Sequence, residues 1–307
     1  MPKFSVAKST TLQAPIEQVE ATVTNFRTWP KWSPWLICDP EAEITFAEDG
    51  SGYSWNGPVV GSGSMTLLDS PSAGVIRYDL QFLKPWKSQA DVRFDLKSTP
   101  DGTEATWVMD SSLPLFMFWM KKMMVAMIGM DYDRGLAMLK DWVETDGVPS
   151  NLEFRPDVEV PATAYVGIKT HCSMSEMGAR MEADVAELID WAKTSGTQPS
   201  GPLFSTYHEW SIGKGETCYT TAMPVRETPK QVPETFHVGQ RPTMNTYAIT
   251  HTGPYRHLAN AWSAGILRSR SKVFRQSKRL HPFEIYEKGP NQSGPLELRT
   301  TVHFPSP

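Results

Sequence analysis

His281-Pro282-Phe283-Glu284-Ile285-Tyr286-Glu287 has strand composition, with side chains alternating between two faces. Phe283 and Ile285 share one face; Glu284 and Tyr286 share the other. A carboxylate in the middle of such a strand has two readings. On an exposed face a glutamate is ordinary. On a covered face an unpaired charge is costly, so a carboxylate there marks the floor of an aromatic pocket.

An internal repeat of about 80 residues surrounds this strand. Ala164-Tyr165-Val166-Gly167-Ile168-Lys169-Thr170 corresponds to Thr246-Tyr247-Ala248-Ile249-Thr250-His251-Thr252. A helix follows each, over 175–193 and 254–276. Gly201-Pro202-Leu203-Phe204-Ser205-Thr206-Tyr207 then matches His281-Pro282-Phe283-Glu284-Ile285-Tyr286, and last strands follow over 217–225 and 296–304. Two strand-helix-strand-strand units are expected to pair about a pseudo-twofold axis with a cleft between them. Leu258, Trp262 and Ile266 share a stripe of the second helix, which aims Trp262 at the core or the cleft edge. The proline-rich stretch 224–242 reads as a surface excursion between the units. Upstream, residues 145–161 hold Asp146-Gly147, Pro149, Pro156 and Pro161 and read as a linker.

The first half opens with an alternating run over 3–12. Ala14-Pro15-Ile16 starts a helix with Pro15 at its first position, and Ile16, Val19, Val23 and Phe26 form its apolar stripe. After Trp29-Pro30-Lys31-Trp32-Ser33-Pro34-Trp35 come alternating runs over 42–48, 52–56, 63–69, 74–82, 88–98 and 104–111. Turn signals such as Asp49-Gly50, Ser70-Pro71 and Asp101-Gly102 separate them, so an antiparallel meander is expected. A helix over 115–144 closes the half, with Met120, Met124, Met127, Ile128, Tyr132, Leu136, Leu139 and Val143 along one side. Its methionines are either filler for an irregular core or a pliable wall for an apolar ligand.

That order of elements, with the 14–19 and 29–35 segments, Thr103-Glu104-Ala105-Thr106-Trp107-Val108-Met109 and Gly135-Leu136-Ala137-Met138-Leu139-Lys140, resembles the START-like superfamily, the SRPBCC or polyketide-cyclase-like group. The resemblance implies a helix-grip fold that binds hydrophobic ligands between sheet and helix, with cyclisation in a few members. Residues 1–150 contain no histidine, the commonest acid-base residue. Four segments of the second half are similar to the GyrI-like, or bacterial transcription-activator effector-binding, domain. They are Tyr207 after Gly201-Pro202, the run 218–225, Thr252-Gly253-Pro254-Tyr255 with Trp262, and Phe283-Glu284-Ile285-Tyr286 with the run 296–300. By that resemblance Glu284 takes the carboxylate position of an aromatic cleft, with Tyr207, Tyr255, Trp262 and Tyr286 around it. Regulator members receive lipophilic cations there, and some stand-alone members are hydrolases that open strained rings.

The expected architecture is α+β: a helix-grip antiparallel sheet with a long C-terminal helix over 1–147, then a duplicated strand-helix-strand-strand effector-binding domain over 152–307. A net charge of −4 and a pI near 6.0 give no general attraction to nucleic acid. The basic run Arg268, Arg270, Lys272, Arg275, Lys278, Arg279 reads as a solvated helix face, and no DNA-reading motif accompanies it. Cys38, Cys172 and Cys218 are far apart, and with no signal-peptide pattern they fit a reducing cytoplasm. Lys121 and Lys122 interrupt the most apolar run, 113–130, so no membrane span is expected. His251 and His257, six apart without a clustered third ligand, read as packing residues, and neither metal nor cofactor is expected. Three functional classes stay open: a binding protein for lipophilic, even cationic, small molecules; an enzyme, either a hydrolase acting through Glu284 or a cyclase in the first half; and a protein-partner module.

Overall fold

The computed structural model describes residues 3–68, 74–113 and 115–307. Two compact units result: Met1–Pro149 with Ile266–Val273, and Ser150–Gly265 with Phe274–Pro307.

In the first unit β1 (Lys3–Leu12) leads into α1 (Ile16–Thr24), the short α2 (Trp29–Trp32), and the strands β2 (Glu43–Phe46), β3 (Gly52–Gly57), β4 (Gly61–Leu67), β5 (Val75–Lys84), β6 (Ser88–Thr99) and β7 (Gly102–Ser112). They form one antiparallel sheet in the order β1-β7-β6-β5-β4-β3-β2, a meander closed by the first strand. The turn expected at Ser70-Pro71 lies outside the described residues. Pro15 caps α1 from outside rather than occupying its first turn, because its ψ of 150° is extended. The expected long helix divides into a 3-10 turn over Leu115–Met120 and α3 (Lys121–Thr145). The C-terminal half of α3 buries Tyr132, Leu136, Leu139 and Val143, whereas Met124 and Ile128 are only partly covered. Trp29, Trp32, Phe94, Trp107 and Tyr132 form the aromatic centre of this core, with Trp107 stacked on Tyr132 at 4.1 Å. Gly135 makes that contact possible: a Cβ there would stand 2.7 Å from the Trp107 ring.

The second unit contains β8 (Asn151–Val160), β9 (Thr163–Ser173), α4 (Met177–Ser195), β10 (Phe204–Ser211), β11 (Glu216–Val225), β12 (Phe236–Arg241), β13 (Met244–Thr252), α5 (Ala259–Arg270), β14 (Phe283–Lys288) and β15 (Arg299–Pro305). Their sheet order, β12-β9-β11-β10-β14-β15-β13-β8, reads the same from either end once the two repeats are equated. Two expectations need correction here. The 151–160 part of the supposed linker is a strand paired with β13, and 236–241 of the supposed excursion is a strand paired with β9. Each repeat therefore places its leading strand on the outer edge of the other. Prolines concealed both. Pro156 is tolerated because β8 is an edge strand with a register shift opposite Thr246/Ala248, and Asp157 there adopts φ 53°.

The repeat register also differs by one residue from the sequence match. Ser205 lies directly opposite Glu284, and the amides of Tyr207 and Tyr286 donate reciprocally to the carbonyls of Pro282 and Leu203 at 3.0 Å. The internal twofold thus passes between Ser205 and Glu284 and equates Tyr207 with Tyr286. Matching on Pro202 and Pro282 slips the strand by one, and a one-residue slip exchanges faces. Both strands then bulge just after the equated tyrosines, between Tyr207 and Glu209 and between Tyr286 and Lys288.

The second helix is shorter than its apolar pattern. α5 ends at Arg270, and Lys272 turns left-handed with φ 64°. The basic run is solvated but is not one helix face: Arg270, Lys272, Arg275, Lys278 and Arg279 are exposed, whereas Arg268 is buried and most of the run lies beyond the helix. Ile266 is exposed, and the buried stripe is instead His257, Asn260, Ala261, Ala264 and Arg268.

Candidate functional site

Strand alternation places Glu284 and Tyr286 of β14 and Ser205 and Tyr207 of β10 on one sheet face. α4 packs on this same face through Leu188 against Val166, Ile168 and Met223. The Glu284 side chain is 3% exposed. Its Oε2 accepts hydrogen bonds from the Tyr207 hydroxyl at 3.0 Å and the Tyr286 hydroxyl at 2.8 Å. Its Oε1 accepts one from the Trp262 indole N–H. Sequence pattern implies a partly covered carboxylate; the structure covers it fully, because the Trp262 ring meets Tyr207 edge-on at 4.8 Å and closes over the acid. Gly265 sets that position. A Cβ there would fall 2.1 Å from the Phe304 ring, so only glycine lets this part of α5 lie on Phe304, itself 5.5 Å from Trp262.

Burial pushes the Glu284 carboxyl above its usual range, and the bonds from Trp262, Tyr286 and Tyr207 pull it partly back. Burial, then the neighbouring Glu284 charge, raises both tyrosine hydroxyls well above the usual phenol value, so they stay protonated and donate. The site is an acceptor surrounded by donors and ring faces, suited to a positive charge on an apolar body.

Three of the four expected partners, Tyr207, Trp262 and Tyr286, therefore meet Glu284. Tyr255 stands one ring further out, 6.3 Å from Tyr286 and exposed. The structure adds Trp210, half-exposed and 6.1 Å from Tyr207. Simple alternation sets Trp210 on the opposite face; the bulge at His208 turns it back to the Glu284 face, opposite Thr217. The far face is closed by the Arg241 guanidinium, 4.5 and 4.6 Å over the rings of Phe204 and Phe283. Burial lowers that guanidinium to about 10, still protonated at neutral pH.

His251 is buried, bonded to the Ser150 hydroxyl at 3.1 Å, and lowered to about 4 by burial, so it is neutral at pH 7. Among the described residues no group of three or more His, Cys, Asp or Glu side chains is placed to hold a metal. No helix is long and apolar enough to cross a membrane, among the described residues. In the first unit a cavity of about 1890 Å³ is lined from the sheet by Trp55, Phe82, Trp107 and Met109 and from α3 by Met124 and Ile128. The methionine-rich half of α3 is thus a cavity wall, while its other half is core.

Comparison with known proteins adds the family. The model described as polyketide cyclase / dehydrase and lipid transport matches residues 3–144, and the GyrI-like small molecule binding domain matches residues 158–305. No curated protein matches the chain. Among solved structures, an EcmrR–DNA complex is 14% identical over 62% of this chain and 72% of that one, with a TM-score of 0.43. SAV2435 bound to tetraphenylphosphonium is 12% identical over 50% and 93%, with a TM-score of 0.40. A START superfamily protein from Mycobacterium smegmatis is 21% identical over 46% and 97%, with a TM-score of 0.34. The chain joins a domain that matches the polyketide cyclase / dehydrase and lipid transport model over residues 3–144 to one that matches the GyrI-like small molecule binding domain over residues 158–305.

Proposed function

We propose that the second unit binds lipophilic cations, with Glu284 as the counter-charge and Tyr207, Trp262 and Tyr286 as the inner wall. One observation carries this reading: a carboxylate at the centre of the sheet, buried, with every bonded neighbour among the described residues an aromatic donor and none a basic side chain. Of its three donors, the two tyrosines stand on paired strands and Trp262 stands on a helix. The indole is the donor a ligand displaces without unpairing the sheet. A cation then replaces the lost bond by direct attraction in a site of low dielectric. Tyr255 and Trp210 form the outer wall. The cavity of the first unit holds an uncharged apolar molecule, and no histidine is available there for acid-base work.

Hydrolysis through Glu284 is the second reading. Its raised carboxyl favours a base, but both oxygens are already engaged by donors, which weakens it.

Equilibrium titration of tetraphenylphosphonium and of a neutral triarylphosphine oxide into wild type and Glu284→Gln tests the proposal. The cation should lose about 2–5 kcal/mol in the variant, the range for truncating a buried charge pair, and the neutral compound should change little. Each ligand should be recovered intact. Equal cation affinity in both proteins contradicts the binding reading; ligand breakdown that the substitution abolishes favours hydrolysis.

A further inference from the structure

We propose that the rim of the first unit's cavity docks reversibly on an anionic lipid surface. Two segments frame that rim. One is Leu83-Lys84-Pro85-Trp86-Lys87, spanning the end of β5 and the turn to β6. The other is Phe118-Trp119-Met120-Lys121-Lys122-Met123, at the start of α3. Lys84, Trp86 and Lys87 from the first and Met120 and Lys121 from the second line one and the same cavity.

The rim exposes what a protein normally covers. Trp86 is 61% exposed, Phe118 66% and Trp119 68%, and Leu83 and Met123 are exposed beside them. Apolar groups concentrated this way mark an interaction surface. Charge then selects the partner. Lys84, Lys87, Lys121 and Lys122 are all exposed, and neither 80–90 nor 111–130 contains a single Asp or Glu, in a chain whose net charge is −4. Exposed aromatics beside lysines match a bilayer interface: the rings sit at headgroup depth and the ammonium groups meet lipid phosphates. A nucleic acid would use the lysines but would leave Leu83, Phe118 and Met123 without an apolar phase. Because the same residues open onto an apolar cavity, a docked rim lets a hydrophobic molecule pass between bilayer and protein without crossing water. Docking of this kind is interfacial and requires no spanning helix.

Sedimentation of the full chain with vesicles tests this, using pure phosphatidylcholine and phosphatidylcholine with one-third phosphatidylglycerol. The wild type should partition onto the anionic vesicles and only weakly onto the neutral ones. Lys121→Gln with Lys122→Gln should lower partitioning on anionic vesicles by roughly 25-fold, about fivefold per lysine, with little change on neutral vesicles. Trp86→Ala with Trp119→Ala should lower it about tenfold or more on both. All four side chains are exposed, so circular dichroism and the thermal midpoint should match wild type. As an independent readout, bilayer-buried brominated lipids should quench wild-type tryptophan fluorescence, and Trp86→Phe with Trp119→Phe should remove that quenching. Protein left wholly in solution with anionic vesicles at low salt overturns the proposal. So does binding insensitive to the aromatic substitutions, or a random DNA duplex bound as tightly as the vesicles.

Discussion

Glu284 loses several kcal/mol of hydration when it is buried as a charge, whereas a hydrogen bond to a charged group returns about 1.5–3 kcal/mol. Three such bonds offset part of the loss, and its carboxyl is still raised, so desolvation outweighs them. The sign for stability follows. With its folded value above its unfolded one, the folded protein binds the proton more readily, and stability falls as pH rises from the ordinary glutamate range through the raised value. Glu284→Gln removes that slope. The stability of the variant relative to wild type should therefore increase as pH rises through this window, measured by urea denaturation at a series of pH values. A constant or reversed difference would sink the account of the buried charge. At this scale alternation alone put Glu284 and Tyr286 on one face, and the motif resemblance supplied Tyr207 and Trp262. Trp210 was not legible, because one bulged residue reverses the alternation and nothing in His208-Glu209 announces a bulge.

Among the elements, α5 governs the site through Gly265. In an ordinary exposed helix Gly→Ala stabilises by about 1 kcal/mol. Here the added methyl meets the buried Phe304 ring, and overpacking costs about 1–3 kcal/mol. Gly265→Ala should thus lower stability and shift Trp262 away from Glu284, read from the thermal midpoint together with weaker cation binding. A gain in stability would mean that the helix does not rest on Phe304 as described. The edge strands show why the fold was only partly legible. Leu152, Phe154, Val158 and Val160 keep a period of two, but the turn residues Pro156 and Asp157 interrupt the run, so the stretch resembles a linker until β13 pairs with it. Phe236–Arg241 is similarly hidden between Pro233 and Pro242. Local chemistry reported the breaks correctly, while the pairing that overrides them is non-local. In the meander of the first unit, turn chemistry and pairing agree, and the strands emerge nearly as read.

For the whole molecule, the strand assignment of 151–160 narrows the accessible join. Limited proteolysis should cut within 146–150, where Asp146 leaves α3 left-handed and Gly147 and Pro149 follow, and should spare 151–160, whose backbone is paired. Mass spectrometry of the early fragments decides this, and a first cut inside 152–160 would contradict it. The division into a meander half and a repeat half was legible from composition breaks and from the repeat itself. What the first unit's cavity holds was not, because Met, Trp and Phe lining an empty space have the same pattern as Met, Trp and Phe filling a core. In the proposed function the Glu284 carboxylate is the ligand's counter-charge. Titrating the Glu284 side-chain carboxyl by carbon-13 NMR in the full chain, with and without tetraphenylphosphonium, tests it most directly. The free protein should titrate above the ordinary glutamate range, and the bound cation should move the titration downward; a Glu284 titration unchanged by saturating cation would contradict the account.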